Sequence, residues 1–492
     1  MEIYTPNDQI LFDENHDKII KKANVMSQKV LGPSLEEIKK IQKIIFEYIK
    51  NNKRIIYGGF ALNLYLIKFK KDANLLYETQ FENNYPHTTH NVSDIDCYSP
   101  DPHKDMIAIC DLLHNAKIKN VEGKEAQHTE TYIVYAQFTE FCNFTYMPSI
   151  IINIIPKIHF KVNNYDVIML RTDIVSIDYF RIFTDPIGSY RLLEKQFNRY
   201  IRLQSIKGYK LGGYEKKQLL NNIIINDIPH DVINTIYNFI KNNNEIILFG
   251  YFLYNVFSII SESNDIIKKY PVQFISIDYK NCVILVYSIL KKKFGDKITI
   301  KEYYPFFQYL DHNVAFYYDN ICIVQIYNNN ERCTPFKKIN MMNNVISNIQ
   351  IQKDDSVYIG TFSVNIMMIL ILYTYAKIYN NKKAFIYDNM LTDLLKFRSK
   401  YLSTIKKTIF DDNIFEEFVV NCIGYTIRPD IKKWNLGKKR LQMNKKPVFK
   451  YIPTSNAKNE MKSFSFANCS GNKIKNENKY TFKEIPHYIS NQ

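Results

Sequence analysis

The sequence predicts an α+β fold in which one mixed unit occurs twice, between an N-terminal helix and a basic C-terminal tail. Three observations carry that expectation. Residues Arg54 to Leu62 read as an apolar strand, a diglycine turn at Gly58-Gly59 and the first turn of a helix. Residues Val92 to Tyr98 form an alternating strand with carboxylates at Asp94 and Asp96. A fainter version of the same order follows later in the chain.

The elements run as follows. Residues 34–50 are an amphipathic helix, with a Ser34/Glu37 capping box after Pro33 and a stripe of Leu35, Ile38, Ile41, Ile45 and Tyr48. The diglycine unit comes next. Residues 71–91 are polar and rich in Asn, His and Thr, which reads as an insertion or mobile loop. After the Asp-x-Asp strand comes a helix over 105–116, with Met106, Ile109, Cys110 and Leu113 inward. Residues 131–138 and 141–147 are two strands joined by a tight turn, and 157–170 give another pair. Residues 186–203 are a helix, and 211–241 a helical connector.

Then the pattern returns. Glu245 to Leu253 echoes Arg54 to Leu62, with Gly250 set against Gly59 and Phe249 in place of the first glycine. Phe274 to Tyr279 echoes the Asp-x-Asp strand, with Ser276 where the first aspartate stands. Residues 315–326 echo the strand pair at 131–147. The second copy is expected to have lost its chemistry and to serve packing or RNA binding. The expected domains are 1–50 helical, 51–210 catalytic, 211–240 connecting, 241–430 degenerate and 431–492 tail.

Composition narrows the class. Among 492 residues, 65 Lys and Arg face 49 Asp and Glu, a net charge of +16. That excess suits a polyanion, nucleic acid before an acidic membrane surface, although Lys-rich composition alone produces it too. Residues 432–450 hold eight cations and no acid, among them Lys438, Lys439 and Arg440, interleaved with Trp434 and Phe449. Such a run fits a backbone groove with stacking platforms, or a solvated, extended tail. Eight scattered cysteines without a C-x-x-C imply free thiols in a reducing compartment. The longest apolar run, Ile366 to Tyr373, is too short to span a bilayer, and no signal peptide is expected. No Walker A or H-E-x-x-H pattern occurs.

The chemistry follows from spacing. Residues two apart on a strand share a face, so Asp94 and Asp96 point together, about 7 Å apart. Like charges that close want a cation between them. A diglycine turn opening a helix lets backbone N–H groups approach a phosphate. Together these suit nucleotidyl or phosphoryl transfer.

At these residues the chain resembles the polymerase-beta-like nucleotidyltransferase superfamily. Tyr57-Gly58-Gly59, Asp94-Ile95-Asp96-Cys97-Tyr98, Ile154 to Ile158 and Thr184-Asp185-Pro186 narrow the likeness to the poly(A) polymerase catalytic subunits of large DNA viruses, mimivirus-like giant viruses in particular. The resemblance implies transfer of adenylate from ATP to an RNA 3′ end, with Mg²⁺ (or Mn²⁺) ions held by three acids. Asp94 and Asp96 match the first two. Asn143 best matches the third position. Glu140 is taken as the third acid, provided a bulge turns it to the right face, and Asp166 is the other candidate. Arg191, Lys195, Arg199 and Arg202 recur along one helical face, either to meet triphosphate or RNA or as a solvated stripe. The resemblance also implies a host-cytoplasmic, viral-factory or virion setting and a possible homodimer through the second copy and the helix at 362–379. Another nucleotidyltransferase of this fold, or a non-catalytic RNA-binding scaffold, are the competing readings.

Overall fold

The computed structural model describes residues 3–69, 75–82, 85–89, 92–162, 165–213, 228–263, 265–267, 270–340, 356–379 and 381–453. They fall into two units. The first lies within Met1–Arg171, Ser205–Lys207 and Pro429–Lys473; the second within Thr172–Gln204 and Gly208–Arg428.

In the first unit, α1 (Pro6–Glu14) and α2 (His16–Leu31) precede α3 (Leu35–Asn51). The Ser34 hydroxyl accepts from Glu37 N and the Ser34 N–H donates to the Glu37 carboxylate, the expected capping box. Ile38, Ile41, Ile45, Phe46 and Ile49 form the buried face, whereas Leu35 is exposed. Next come β1 (Ile55–Tyr57) and α4 (Gly58–Phe69). The segment expected to be a loop forms a hairpin, β2 (Thr79–Glu82) and β3 (Tyr85–Thr88). The reason is Gln42 on α3: its buried amide donates to Thr88 Oγ1 and accepts from Thr88 N. Then follow β4 (Ile95–Ser99), α5 (Pro102–Asn115), β5 (Glu122–Glu125), β6 (Thr131–Ala136), β7 (Thr139–Tyr146), α6 (Ser149–Ile154), β8 (Lys157–Val162) and β9 (Tyr165–Leu170).

The second unit begins with α7 (Thr172–Phe183) and α8 (Leu193–Gln204). The helix expected at 186–203 starts late, because the Asp185 carboxylate takes the Gly188 N–H and holds 185–189 in a turn. The boundary expected near 210 falls instead at Arg171, since α7 packs on an apolar helix of the second unit, α12 (Phe362–Ile378). Between them run α9 (His230–Lys241), β10 (Ile246–Phe249), α10 (Tyr251–Ile260), β11 (Val272–Ser276), α11 (Tyr279–Phe294), β12 (Ile298–Tyr303), β13 (Asn313–Tyr318), β14 (Ile321–Asn328), β15 (Thr334–Asn340) and β16 (Ser356–Gly360); α13 (Ala384–Ile405) and β17 (Cys422–Ile423) follow. The connector expected at 211–241 is described only at its ends, and 214–227 lie outside the described residues. Helix α12 is buried along most of its length, so it offers no face to a second copy.

Two further expectations change. Pairing of β15 with β17 sets Cys333 beside Cys422, 5.6 Å apart at Cα and joined as a disulfide, so not all thiols are free. Cys97, Cys110, Cys142, Cys282 and Cys322 are. The segment from 429 is no extended tail up to its described end at 453. It forms α14 (Pro429–Gln442) and β18 (Lys450–Tyr451), which pairs antiparallel with β5. Phe449 and Tyr451 are buried there, and Tyr451 Oη donates to Asp111 at 2.6 Å.

Seven strands of each sheet share one topology, with β18 added beside β5 in the first and β17 beside β15, at the opposite edge, in the second. The first runs β18-β5-β6-β7-β4-β1-β9-β8 and the second β12-β13-β14-β11-β10-β16-β15-β17. Strand for strand the senses agree: β1 and β10 are antiparallel to β4 and β11 and parallel to β9 and β16, while β4 and β11 are parallel to β7 and β14.

Candidate active site

Register places the polar side chains. Tyr57, Asp96, Asn143, Ile133 and Lys124 are successive cross-strand partners on β1, β4, β7, β6 and β5. Directly paired residues face the same way, so this row lies on one face of the sheet. Asp94 sits just before β4, two residues from Asp96.

A bulge brings in a third carboxylate. Val134 pairs with Cys142 and Tyr135 with Glu140, so Phe141 is the extra residue and the register shifts there. Without the bulge Glu140 would face away from Asn143; with it, Glu140 joins the row's face. The Asn143 amide nitrogen donates to Glu140 Oε1 at 2.8 Å, Asp96 Oδ1 at 3.1 Å and Asp94 Oδ2 at 3.2 Å. Three carboxylates therefore surround one NH₂ group that has two hydrogens to give. Asn143 Oδ1 is buried and has no hydrogen-bond partner. Asp166 lies elsewhere, paired across β8–β9 with Lys161 and 3.9 Å from His159 Nδ1.

Gly58 is required by this packing. Its φ is +72°, and a Cβ there would strike the Asp96 carboxylate. Removing the side chain lets Asp96 lie against the first turn of α4, beside Gly59. Around the acids, Tyr57 stacks on Tyr98 at 4.0 Å and its hydroxyl meets Thr145 Oγ1 at 2.8 Å. Thr131 and Thr145 share a further hydrogen bond of 3.0 Å. Tyr135 Oη donates to Glu140 Oε2 at 3.3 Å.

Behind the site, Asp105 locks the strands. Its buried carboxylate takes Arg54 Nη2 at 2.8 Å, Arg54 Nε, Tyr48 Oη at 2.8 Å and Ser99 Oγ at 2.6 Å. It thereby ties α3, the start of β1, the end of β4 and α5 to one point. Burial and the neighbouring Asp105 charge push the Tyr48 phenol well up. Sequence reasoning missed this hub, because nothing in the helix pattern at 105–116 marks Asp105 as buried.

The other expected site residues scatter. Lys195, Arg199 and Arg202 lie on α8 of the second unit, Lys195 exposed. Arg191 precedes that helix in a short 3₁₀ turn, so the stripe begins outside it; its side chain lies outside the described ones. Lys438 and Lys439 are exposed on α14. Arg440 does not face solvent for RNA. It is buried, and its guanidinium grips both Glu125 oxygens at 2.7 Å.

The second unit repeats the frame without the acids. Gly250 matches Gly58, not Gly59: its φ is +67°, and a Cβ there would strike Gln273. Gln273 pairs with Phe249 on one side and Gln325 on the other, as Asp96 pairs with Tyr57 and Asn143. Ser276 is thus not the aspartate's counterpart. A register shift between Phe316 and Tyr317 reproduces the bulge and sets Cys322 where Glu140 stands. Two residues before Gln273 is Pro271, at the place of Asp94. The Gln273 amide donates to Gln325 Oε1 at 2.8 Å.

Among the described residues no three His, Cys, Asp or Glu side chains stand ready as a metal site. In the first unit the Asn143 amide occupies the point the three carboxylates share. Three acids, a buried carbonyl oxygen without a donor and a glycine clearing the space fit a divalent cation. Among the described residues no helix is long and apolar enough to cross a membrane.

Comparison with known proteins agrees with this frame. Residues 43–189 match the family model "Poly(A) polymerase catalytic subunit" and residues 206–484 the model "APMV, Putative poly(A) polymerase, catalytic subunit, C-terminal". The chain is 29% identical to the putative poly(A) polymerase catalytic subunit of Acanthamoeba polyphaga mimivirus, over 96% of this chain and 83% of that one. An African swine fever virus protein with the same description is 30% identical over 142 residues, 29% of this chain and 27% of its own. The crystal structure of the Megavirus polyadenylate synthase superposes with a TM-score of 0.76 at 26% identity, covering 99% of this chain and 97% of that one. The chain belongs to the poly(A) polymerase catalytic subunit family of large DNA viruses.

Proposed function

We propose that the first unit extends RNA 3′ ends with adenylate from ATP, using Asp94, Asp96 and Glu140 to hold divalent cations. The observation that carries this is the convergence of three carboxylates on Asn143 beside the Gly58 backbone. When bound, Mg²⁺ or Mn²⁺ activates the RNA 3′ oxygen and neutralises the triphosphate and the leaving pyrophosphate. The chain's own part is positioning. Asp94, Asp96 and Glu140 supply the oxygens. Asn143, whose carbonyl oxygen is buried without a partner beside them, would offer a neutral oxygen donor to a bound cation. The Gly58-Gly59 backbone leaves room for the triphosphate at the start of α4. Tyr135 steadies Glu140 through its hydroxyl.

The test is extension of a labelled RNA with each NTP singly and Mg²⁺ or Mn²⁺. Adenylate-only extension, abolished by Asp94→Asn with Asp96→Asn while RNA binding persists, is the expected result. Equal use of all four nucleotides removes the assignment to ATP; an inert wild-type chain removes the enzyme.

A further inference from the structure

The first unit carries a groove that the acids do not use. It encloses about 540 Å³ between α14 and the edge of the sheet at β5 and β6. Trp434, Lys438 and Lys433 line it from α14, and Lys124, Ile133 and Tyr135 from the strands. Trp434, the single tryptophan of the chain, is 60% exposed. Lys438 Nζ sits 3.7 Å over its ring, and Lys124 Nζ sits 4.0 Å over Tyr135. Lys433 is committed to the fold, donating to the Glu125 and Ala126 carbonyls. Two acids, Asp430 and Glu125, also line the groove, and the Glu125 carboxylate is taken by Arg440.

The groove adjoins the acid cluster. Ile133 is the cross-strand partner of Asn143, and Lys124 the partner of Ile133, on the face that carries Asp96. Lys124 is three strands from Asp96, about 14 Å. Tyr135 belongs to both places: its ring faces the groove and its hydroxyl holds Glu140. An exposed Trp434 ring and a part-buried Tyr135 ring, each with an ammonium group over it, suit a base stacked on a ring beside its own phosphate. An apolar peptide would leave Lys124 and Lys438 without a counter-charge.

We propose that this groove is the track of the single-stranded RNA just upstream of its 3′ end, with one base stacked on Trp434 and its phosphates met by Lys438 and Lys124. The proposal rests on the polyadenylation reading and assigns the primer's path within it. A firmly held α14 is part of the device: Arg440 fixes the helix to Glu125, so the ring and its cations stand in a set place.

Trp434 supplies its own probe. Titrating the full chain carrying Asp94→Asn and Asp96→Asn with oligoadenylate RNA should quench tryptophan fluorescence saturably, and the quench should weaken as salt rises. ATP alone should leave the signal unchanged. Trp434→Ala in the otherwise native chain should raise the KM for RNA on the order of tenfold while the KM for ATP holds. Lys438→Ala and Lys124→Ala should each raise it less. Normal RNA extension with no quench, and no change of RNA KM in Trp434→Ala, would overturn the groove and leave the polyadenylation reading standing. RNA quench in a chain inert with every NTP would do the reverse. Quench by ATP, or by an acidic peptide but not RNA, would also overturn the proposal, the latter in favour of a protein partner.

Discussion

The two units keep the same frame and differ at its chemistry. Both have a strand ending in a glycine with positive φ, a bulged hairpin and the same strand order. Both also use an asparagine five residues after that glycine. Asn63 takes the Leu76 N–H and donates to the Tyr77 carbonyl, and Asn255 does the same to both groups of Ile267. What changes is four positions: Asp94, Asp96, Glu140 and Asn143 become Pro271, Gln273, Cys322 and Gln325. The Gln273 amide donates to Gln325 Oε1, and these four positions of the second sheet carry no carboxylate to be neutralised. The frame thus survives on backbone pairing and apolar burial, and the chemistry resides in a few side chains laid on it.

The largest effect should separate the units by activity. Asp94→Asn or Asp96→Asn should cut RNA extension by ATP on the order of 10³-fold, whereas Gln273→Ala should leave it unchanged. A rate loss from Gln273→Ala would show that the second unit takes part in the chemistry.

The next effect sharpens the contrast at the sheet edges. Among the described residues the β5 edge of the first sheet is extended by β18, whereas the corresponding β12 ends the second. Arg440→Ala leaves the part-buried Glu125 carboxylate with only the Phe449 N–H and should cost the first unit about 1–3 kcal/mol. Denaturant unfolding followed on the first unit would measure it, and a neutral result would mean the pair is not desolvated.

Glycine should matter equally to both frames and unequally to function. Gly58→Ala and Gly250→Ala each force a Cβ into Asp96 or Gln273 at positive φ, costing about 1–3 kcal/mol each. Thermal unfolding should show both losses, and only Gly58→Ala should abolish extension.

The smallest effect is a pH dependence of the first unit. Burial pushes the Glu130 carboxyl from 4.5 up to about 7. The folded state therefore holds a proton that the unfolded chain has released. Its contribution is full below about pH 4.5 and lost as pH rises through about 7. Glu130→Gln should raise Tm by a few degrees above neutrality and not at all below pH 4.5. A gain of equal size at both ends would exclude this carboxyl as the cause.

Much of this was legible in the chain. The Asp-x-Asp strand, the diglycine turn and the order of the echo needed only period and punctuation. Glu140 needed one added fact, the bulge at Phe141, because strand parity alone points it the wrong way. Register explains the error in the second copy: one glycine can be set against either of two, and only the Cβ clearance over Gln273 decides. The C-terminal run misled because charge counts see Lys and Arg alike. Arg440 is neutralised by Glu125, more than three hundred residues away, and such a pair leaves no local pattern. The disulfide across 89 residues was hidden for the same reason.

The most direct test of the central claim is calorimetric titration of Mn²⁺ into the intact chain and its Glu140→Gln variant. Three acids sharing one point predict that Glu140→Gln weakens Mn²⁺ binding at least tenfold while the fold, read by thermal unfolding, holds. Unchanged affinity would contradict the assignment of Glu140 and, with it, the three-carboxylate site.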